Sequence, residues 1–300
     1  MNQYIIFPVG IFIRFCLALS LFISCKTPGH VLQPNGTMQV LRFHSSHTSF
    51  PDTARANGHL YDNVMYDASA HYSDSSVMIV IPPSFSPGAH LNLVFWFHGW
   101  RNNIDSAEKR FQIGSQLIAS NRNAILVLAE TAKNAPDSYG GKLERPGGFD
   151  ALVNDIMNEL KTRKVIPEKA NAGNITLAGH SGAYRVIAYI LKNSGPKIQE
   201  VFLFDALYAN VPEFMSWIKE DRKNEFVHWY TNKGGGTDEV SNDMMKQLQA
   251  QQIKFAQAEE TTITAEQIKN NRVLFIHSLK EHNDIINNPD NFQFLLSALK

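Results

Sequence analysis

Residues 174–190 of this chain, NITLAGHSGAYRVIAYI, combine a strand pattern, a tight turn and a helix pattern. The first half of this stretch is a short apolar run typical of a buried strand, and its second half repeats apolar side chains at helical spacing. Between the halves, residues 179–183 read Gly-His-Ser-Gly-Ala, so small residues flank a single serine. A strand that turns this tightly into a helix has room only for small neighbours and exposes the serine hydroxyl. The helix that follows directs the positive end of its dipole at Ser181.

Apolar runs and helical patterns alternate along the rest of the chain. Most runs are apolar on both sides, which indicates strands of a parallel sheet covered by helices on both faces. The alternation predicts a doubly wound α/β sheet with functional residues at the carboxyl ends of its strands. The predicted strands are Val77–Ile81, Leu91–Phe97, Ala124–Ala129, Ile175–Ala178, Val201–Phe204, Phe226–Tyr230 and Val273–His277, and the predicted helices are Ser106–Ala119, Gly148–Leu160, Gly182–Leu191, Pro212–Lys219, Ser241–Phe255 and Asn288–Lys300. Antiparallel edge strands are expected at Gln39–Phe43 and Asn63–Tyr72.

From about Val77 to its end the chain resembles the α/β-hydrolase superfamily, because of the strand, serine turn and helix at residues 174–190. The resemblance implies an α/β-hydrolase fold, with a mostly parallel, doubly wound sheet and helices on both faces. It also implies that Ser181 is a catalytic nucleophile and that no cofactor is needed. One position departs from the superfamily pattern, which has glycine where this chain has Ala183. Alanine is small enough for the close helix packing expected there.

A second segment, LNLVFWFHGW at residues 91–100, agrees with the first. It is typical of a buried strand that ends in His-Gly. In enzymes similar to this chain, the loop after that strand supplies one backbone amide of the oxyanion hole, and the residue after the nucleophile supplies the other. The resemblance therefore assigns these amides to Trp100 and Gly182. The alternative interpretation is that His98 and Gly99 only form a turn at the end of a strand.

A serine nucleophile needs a base that takes its proton, and two histidines near the end of the chain are candidates. His277 ends the run VLFIH, residues 273–277, and is expected to face the core or a sheet edge as a structural residue. His282 lies in the loop before the final helix, where this superfamily places its base. His282 is therefore the predicted catalytic base.

The acid that orients the histidine has two main candidates. Asp205 directly follows a predicted strand and resembles a strand-end carboxylate that some lipases of the superfamily use. Asp238 follows the next strand, at the position that most members use, and is the second choice. Asp284 and Glu239 are less favoured. All of these choices except Asp284 precede His282, so Asp205 and Asp238 both keep the chain order Ser, Asp, His.

Residues 1–24 are almost entirely apolar apart from Arg14 and end directly before Cys25. This pattern is typical of an export signal, and it resembles a bacterial lipoprotein signal, which implies that Cys25 is lipidated. An uncleaved membrane anchor and simple secretion are the alternatives. Residues 25–37 are polar and turn-forming, which predicts a tether, and residues 38–300 are the predicted catalytic domain. We expect an exported, membrane-anchored protein that faces the periplasm or the cell exterior.

Composition limits the possible functions. Lys plus Arg and Asp plus Glu both total 28, and no basic cluster is present, so a nucleic-acid partner is not expected. The histidines are dispersed and the only cysteines are Cys16 and Cys25, so neither a metal site nor a disulfide is expected in the domain. The predicted function is a Ser-His-Asp esterase acting on a small-molecule or cell-envelope ester. The alternatives are an amidase or peptidase with the same triad, and a non-catalytic binding lipoprotein on a hydrolase fold.

Overall fold

The structure is a computed structural model that describes residues 1, 38–233, 235–288 and 290–299. The predicted signal up to residue 24, the predicted lipidation site Cys25 and the predicted tether over residues 25–37 lie outside the described residues, apart from Met1. Within the described ranges, no helix has both the length and the apolar character needed to cross a bilayer.

The described chain alternates strands and helices from residue 90 onward. The strands are β1 Gln39–His44, β2 His59–Tyr61, β3 Val64–Tyr66, β4 Ser76–Ile81, β5 His90–Phe97, β6 Ile125–Ala129, β7 Asn171–His180, β8 Ile198–Phe204, β9 Glu225–Thr231, β10 Ala256–Glu259 and β11 Val273–Ser278. The α-helices are α1 Ala68–His71, α2 Ile104–Phe111, α3 Ile113–Ser120, α4 Gly148–Thr162, α5 Tyr184–Asn193, α6 Val211–Glu220, α7 Thr237–Ala250, α8 Ala265–Asn270 and α9 Asn291–Ala298. Short 3₁₀ turns cover Thr53–Arg55, Gly141–Glu144 and Ser181–Ala183.

The main sheet has nine strands in the order β1-β4-β6-β5-β7-β8-β9-β11-β10. The first two strands run antiparallel to their neighbours, and the strands from β6 to β10 in this order are parallel. This confirms the predicted mostly parallel sheet and the predicted antiparallel edge strand at residues 39–43. Because parallel strands share one direction, the chain segments that follow β5, β7, β8 and β11 all emerge at the same edge of the sheet.

The sheet separates two hydrophobic layers, as a doubly wound architecture requires. Alternate residues of β5 take opposite sides, with Phe95 and Phe97 in one layer and Val94 and Trp96 in the other. Helices α4, α5, α6 and α7 pack in the first layer, and α2, α3, α8 and α9 pack in the second. The continuous apolar strands predicted a sheet buried on both faces, and this prediction is confirmed.

Three predicted elements differ from the structure. The helix predicted over residues 106–119 is two helices, α2 and α3, because Gln112 adopts a left-handed conformation (φ 51°) between them. The Glu108 carboxylate accepts the Gly114 amide at 3.0 Å and so satisfies the start of the second helix. Residues 63–72 do not join the main sheet; strands β2 and β3 form a separate two-stranded sheet, followed by α1. The helix predicted to end at Phe255 ends at Ala250, and β10 adds a parallel edge strand.

A buried charged cluster lies at the amino ends of the central strands, opposite the edge where the functional segments emerge. Arg122 binds both oxygens of Glu200 through Nη2, at 2.7 and 2.8 Å. Glu225 is the neighbour of Glu200 on the adjacent strand, and its Oε2 atom is buried without a hydrogen-bond partner in the described part of the chain. Burial, and then the charge of Glu200, raise the pKa of Glu225 to about 7. Glu225 therefore holds a proton in the folded protein below about pH 7.

This proton makes stability depend on pH in a defined direction. The pKa of Glu225 is about 7 in the fold against an ordinary value of 4.5, so the folded state binds more protons than the unfolded state between these pH values. Stability therefore falls as pH rises from about 4.5 to 7. We expect Glu225→Gln to raise the free energy of unfolding by roughly 1–2 kcal/mol at pH 8 and to leave it nearly unchanged at pH 4.5.

Urea denaturation of the wild type and the variant at both pH values measures this effect. Glu168→Gln, at an exposed loop position, is the matched control and should show no pH-dependent gain. An equal stability change for Glu225→Gln at both pH values would contradict the assignment of a proton to Glu225.

Candidate active site

Ser181 occupies a strained turn between β7 and α5. Its φ angle is 55°, in the left-handed region that non-glycine residues adopt only when the surroundings enforce it. A β-carbon on Gly179 would lie 2.6 Å from the β-carbon of Ala183 and 2.8 Å from Cδ1 of Ile187. Only glycine at position 179 therefore allows the helix to approach the strand this closely. Because Gly179 has no side chain, the methyl group of Ala183 has room beside it.

The loop after β5 touches the serine turn through two more glycines. A β-carbon on Gly99 would lie 2.7 Å from the β-carbon of Ser181, and one on Gly182 would lie 2.4 Å from Cδ1 of Trp100. The Trp100 amide has no hydrogen-bond acceptor within the described ranges, and the Gly182 amide belongs to the first turn of a helical segment, where amides lack an acceptor. The two amides predicted for the oxyanion hole thus belong to segments that meet at Ser181.

The side chain of His98 holds this loop in place through hydrogen bonds. It is buried, its Nδ1 donates to the Gly99 carbonyl at 2.8 Å, and its Nε2 lies 2.6 Å from Oε1 of Glu130. The Thr131 hydroxyl is 2.9 Å from the same ring nitrogen. The second oxygen of Glu130 accepts the Ile104 amide at 3.3 Å, at the start of α2. The His98 side chain thus fixes the carbonyl that directly precedes Trp100.

The structure joins two of the predicted site residues directly. His282 Nδ1 donates to Oδ2 of Asp205 at 2.5 Å, although the two residues lie far apart in the chain. Asp205 is completely buried, and its other oxygen accepts the Thr237 hydroxyl and the Thr231 amide. Burial raises the pKa of Asp205, but the hydrogen bonds from His282 and Thr237 together outweigh burial and lower it overall. Asp205 is therefore a carboxylate at neutral pH.

The competing candidates lie elsewhere. Asp238 is half-buried in the first turn of α7, and no hydrogen bond within the described ranges joins it to His282. His277 Nδ1 pairs with the Glu259 carboxylate at 3.0 Å on the neighbouring edge strand, as a structural histidine would. The structure thus places Asp205, and not the second-choice acid, against the imidazole of His282.

His180, the residue before the serine, also contacts His282. Its Nε2 donates to the His282 backbone carbonyl at 3.0 Å, and the two ring centroids are 4.4 Å apart. Burial, and then the charge of His282, lower the pKa of His180 to about 3. His180 is therefore neutral near pH 7, and its hydrogen bond holds the backbone of the His282 loop.

A cavity of about 530 Å³ opens at this edge of the sheet, a size typical of small-ligand sites. Its lining includes Gly99, Trp100, Arg101, Arg110, Ser181 and His282. No hydrogen bond within the described ranges joins the side chains of Ser181 and His282, but both face the same space, and the Nε2 atom of His282 is the ring nitrogen not used by Asp205. Among the described residues, no cluster of His, Cys, Asp and Glu is arranged to hold a metal ion.

Two further side chains, those of Tyr208 and Ser138, contact residues of this site. Tyr208 lies in the loop after β8, and its hydroxyl shares a hydrogen bond with the Ser181 side chain. Burial, and then the charge of Asp205, raise the pKa of this hydroxyl. Ser138 accepts a hydrogen bond from Nε1 of Trp100 at 2.7 Å. Ser138 belongs to the segment 133–146, which is bound to α5 through the ion pair of Glu144 with Arg185 at 2.8 Å.

Comparison with known proteins finds matches in fold but not in sequence. The chain matches no protein-family model, and no curated protein matches it in sequence. Solved structures do match: the fluorophosphonate-binding serine hydrolase F of Staphylococcus aureus superposes with a TM-score of 0.50 at 9% identity, covering 88% of this chain and 99% of that one. The chain has the α/β-hydrolase fold.

Two esterases of the α/β-hydrolase fold are similarly close. A ferulic acid esterase matches with a TM-score of 0.53 at 10% identity, covering 88% of this chain and 99% of that one. The feruloyl esterase module from Clostridium thermocellum, solved with sinapinate, also gives 0.53 at 10% identity, with 91% and 94% coverage. These structural neighbours are serine hydrolases and esterases. At such low identity they establish the fold alone, and the chemistry has to be argued from the residues of this chain.

Proposed function

We propose that this protein is a serine hydrolase that cleaves a carboxylic ester with Ser181, His282 and Asp205. The observation that carries the proposal is the hydrogen bond between Asp205 and Nδ1 of His282, which leaves Nε2 of His282 available in the cavity that Ser181 lines. The left-handed turn at Ser181 adds support, because such strain is retained where a function needs it. The esterases among the structural neighbours are consistent with this chemistry.

The proposed reaction follows from these positions. Nε2 of His282 takes the hydroxyl proton while Oγ of Ser181 attacks the acyl carbon, and the backbone amides of Trp100 and Gly182 bind the resulting oxyanion. The imidazolium then gives its proton to the leaving alcohol as the carbon–oxygen bond breaks, which leaves an acyl-enzyme. Water, deprotonated by the same histidine, then attacks the acyl carbon; the bond from that carbon to Oγ of Ser181 breaks, Oγ takes the proton back from the imidazolium, and the acid leaves. Asp205 stabilises the imidazolium in both steps, and the hydrogen bond from Ser181 to His282 forms when substrate binds.

A fluorophosphonate probe tests the proposal directly. We expect Oγ of Ser181 to displace fluoride from phosphorus, with the serine proton passing to His282, so that a single phosphonylated peptide contains residue 181. Heat-denatured protein is the control, because labelling depends on the activated hydroxyl of the fold. Folded protein that stays unlabelled would refute the enzyme and favour a binding module.

His180 gives a second, graded test of the same machinery. His180→Phe keeps the aromatic contact with His282 and removes the hydrogen bond to its carbonyl. We expect kcat for p-nitrophenyl esters to fall about tenfold, because the base is less well positioned. The loss should be the same from pH 5.5 to 8, since the pKa of His180 is about 3.

The control for this variant is His90→Phe, at an exposed position on the amino end of β5, which should behave as wild type. A loss of kcat confined to one side of the pH range would show that His180 titrates during catalysis, and an unchanged kcat would show that it does not position His282.

We further propose that the domain is exported and held at a membrane through lipid on Cys25, with residues 25–37 as the tether. The support is the apolar stretch before Cys25, with its single charge at Arg14. The substrate would then be a small-molecule or cell-envelope ester met in the periplasm or at the cell exterior. Labelling cells with radioactive palmitate tests the anchor: the wild type should carry label and Cys25→Ala should not.

A further inference from the structure

Two arginines line the proposed catalytic cavity without a partner of opposite charge. Arg101 and Arg110 both face the space shared by Ser181 and His282, and no carboxylate within the described ranges pairs with either. Other described arginines do bind carboxylates, namely Arg42, Arg55, Arg122, Arg145, Arg163 and Arg185. The guanidinium groups beside the serine are therefore available for a ligand.

The backbone holds both arginines in place. Arg101 adopts a left-handed conformation (φ 54°), and its amide donates to the Ala135 carbonyl at 2.9 Å. Arg110 lies on α2 one helical turn after Ser106, which also lines the cavity, so the two share a helix face. Arg101 has the same kind of strained backbone as Ser181. Its hydrogen bond to Ala135 and the surrounding contacts keep it in this conformation.

The carboxylates near the cavity pair with neither arginine. In the His282 loop, Glu281 pairs with Lys233 at 3.4 Å, and Asp284 is exposed outside the described lining. No aspartate or glutamate belongs to the described lining of the cavity. On α2, Asp105 pairs with Arg42 and Glu108 accepts the Gly114 amide. Beyond α2, the Asp205 carboxylate is buried behind the imidazole of His282. The described lining therefore holds two arginines and no carboxylate near the proposed nucleophile, which favours an anionic ligand.

We propose that the enzyme takes esters that bear an anionic group, such as a carboxylate, which Arg101 and Arg110 bind while Ser181 attacks the ester carbonyl. The proposal rests on the proposed function and adds the substrate class to it. Guanidinium groups bind carboxylates and phosphates through paired, charge-assisted hydrogen bonds, which distinguish an anionic ester from a neutral one of the same shape. Both arginines are exposed, so the preference should weaken as salt rises.

Two matched substrate pairs test this inference and locate the charge. Mono-p-nitrophenyl adipate against p-nitrophenyl hexanoate places it on the acyl side, and 4-acetoxybenzoate against its methyl ester places it on the alcohol side. We expect the wild type to prefer the anionic member of one pair. In the double variant Arg101→Gln, Arg110→Gln, the anionic-to-neutral ratio of kcat/KM should fall at least about tenfold. The double lysine variant, which keeps the charges, should retain most of the preference.

The control is Arg222→Gln. Arg222 also lacks a carboxylate partner within the described ranges, but it lies in the turn before β9, at the opposite end of the sheet. The anionic-to-neutral ratio of kcat/KM for this variant should equal that of the wild type. If the neutral esters are hydrolysed and the anionic-to-neutral ratio of kcat/KM is the same in the wild type and the double glutamine variant, the inference is overturned and the proposed function stands. A wild type that cleaves none of the four esters and takes no fluorophosphonate would overturn both.

Discussion

Ser181→Ala is expected to lower kcat/KM for short p-nitrophenyl esters by a factor of about 10⁴ or more. The substitution removes the only atom that forms the proposed acyl-enzyme, while the amides of Trp100 and Gly182 and the cavity stay in place. The remaining rate should therefore be the small catalysis that an oxyanion hole and binding supply without a nucleophile. Initial rates of p-nitrophenol release measure the effect.

The control for this loss is Ser216→Ala. Ser216 is an exposed serine on α6, outside the cavity lining, and its variant should hydrolyse the same esters at the wild-type rate. Thermal unfolding distinguishes lost chemistry from lost fold: alanine at 181 keeps the β-carbon, and so the same left-handed backbone strain as serine, and its melting temperature should stay close to that of the wild type. A folded Ser181→Ala protein that keeps more than about one per cent of wild-type kcat/KM would contradict the role of Ser181 as nucleophile.

The fold was predictable because its signals are local. Each buried strand of the parallel sheet appears in the sequence as a continuous apolar run, and the serine turn is marked by three small residues around position 181. The break between α2 and α3 was not predictable, because it depends on a left-handed Gln112 and on the Glu108 side chain, which accepts the Gly114 amide. Edge strand β10 was missed because a short half-exposed strand has no apolar run.

The site was predictable only as a set of candidates. The position of a residue after a strand indicates which edge of the sheet it reaches, and this indicated Ser181, His282 and both aspartates. It did not decide between the aspartates, because both follow strands that end at that edge. The choice depends on distant side chains that no local pattern marks: Thr237 and Thr231 bind one oxygen of Asp205 and leave the other for the imidazole.

Asp205→Asn is expected to lower kcat for the same esters by a factor of about 10³–10⁴. An amide has no charge to stabilise the imidazolium that forms when His282 takes the serine proton, and it presents a donor where Nδ1 of His282 needs an acceptor. Some stability should also be lost, because the pKa of Asp205 is lowered in the fold. That contribution is present in the wild type above the ordinary pKa of 3.8 and disappears as pH falls below it.

Asp238→Asn is the matched control, since the sequence places both aspartates after neighbouring strands and only Asp205 contacts His282 within the described ranges. We expect Asp238→Asn to keep kcat within about twofold of the wild type, because an exchange without a lost hydrogen bond at the base costs little. If the two variants exchanged these phenotypes, the hydrogen bond between Asp205 and His282 would be structural, and the acid of the working enzyme would be Asp238. Measuring both variants at pH 8, with melting temperatures, keeps a loss of chemistry separate from a loss of folded protein.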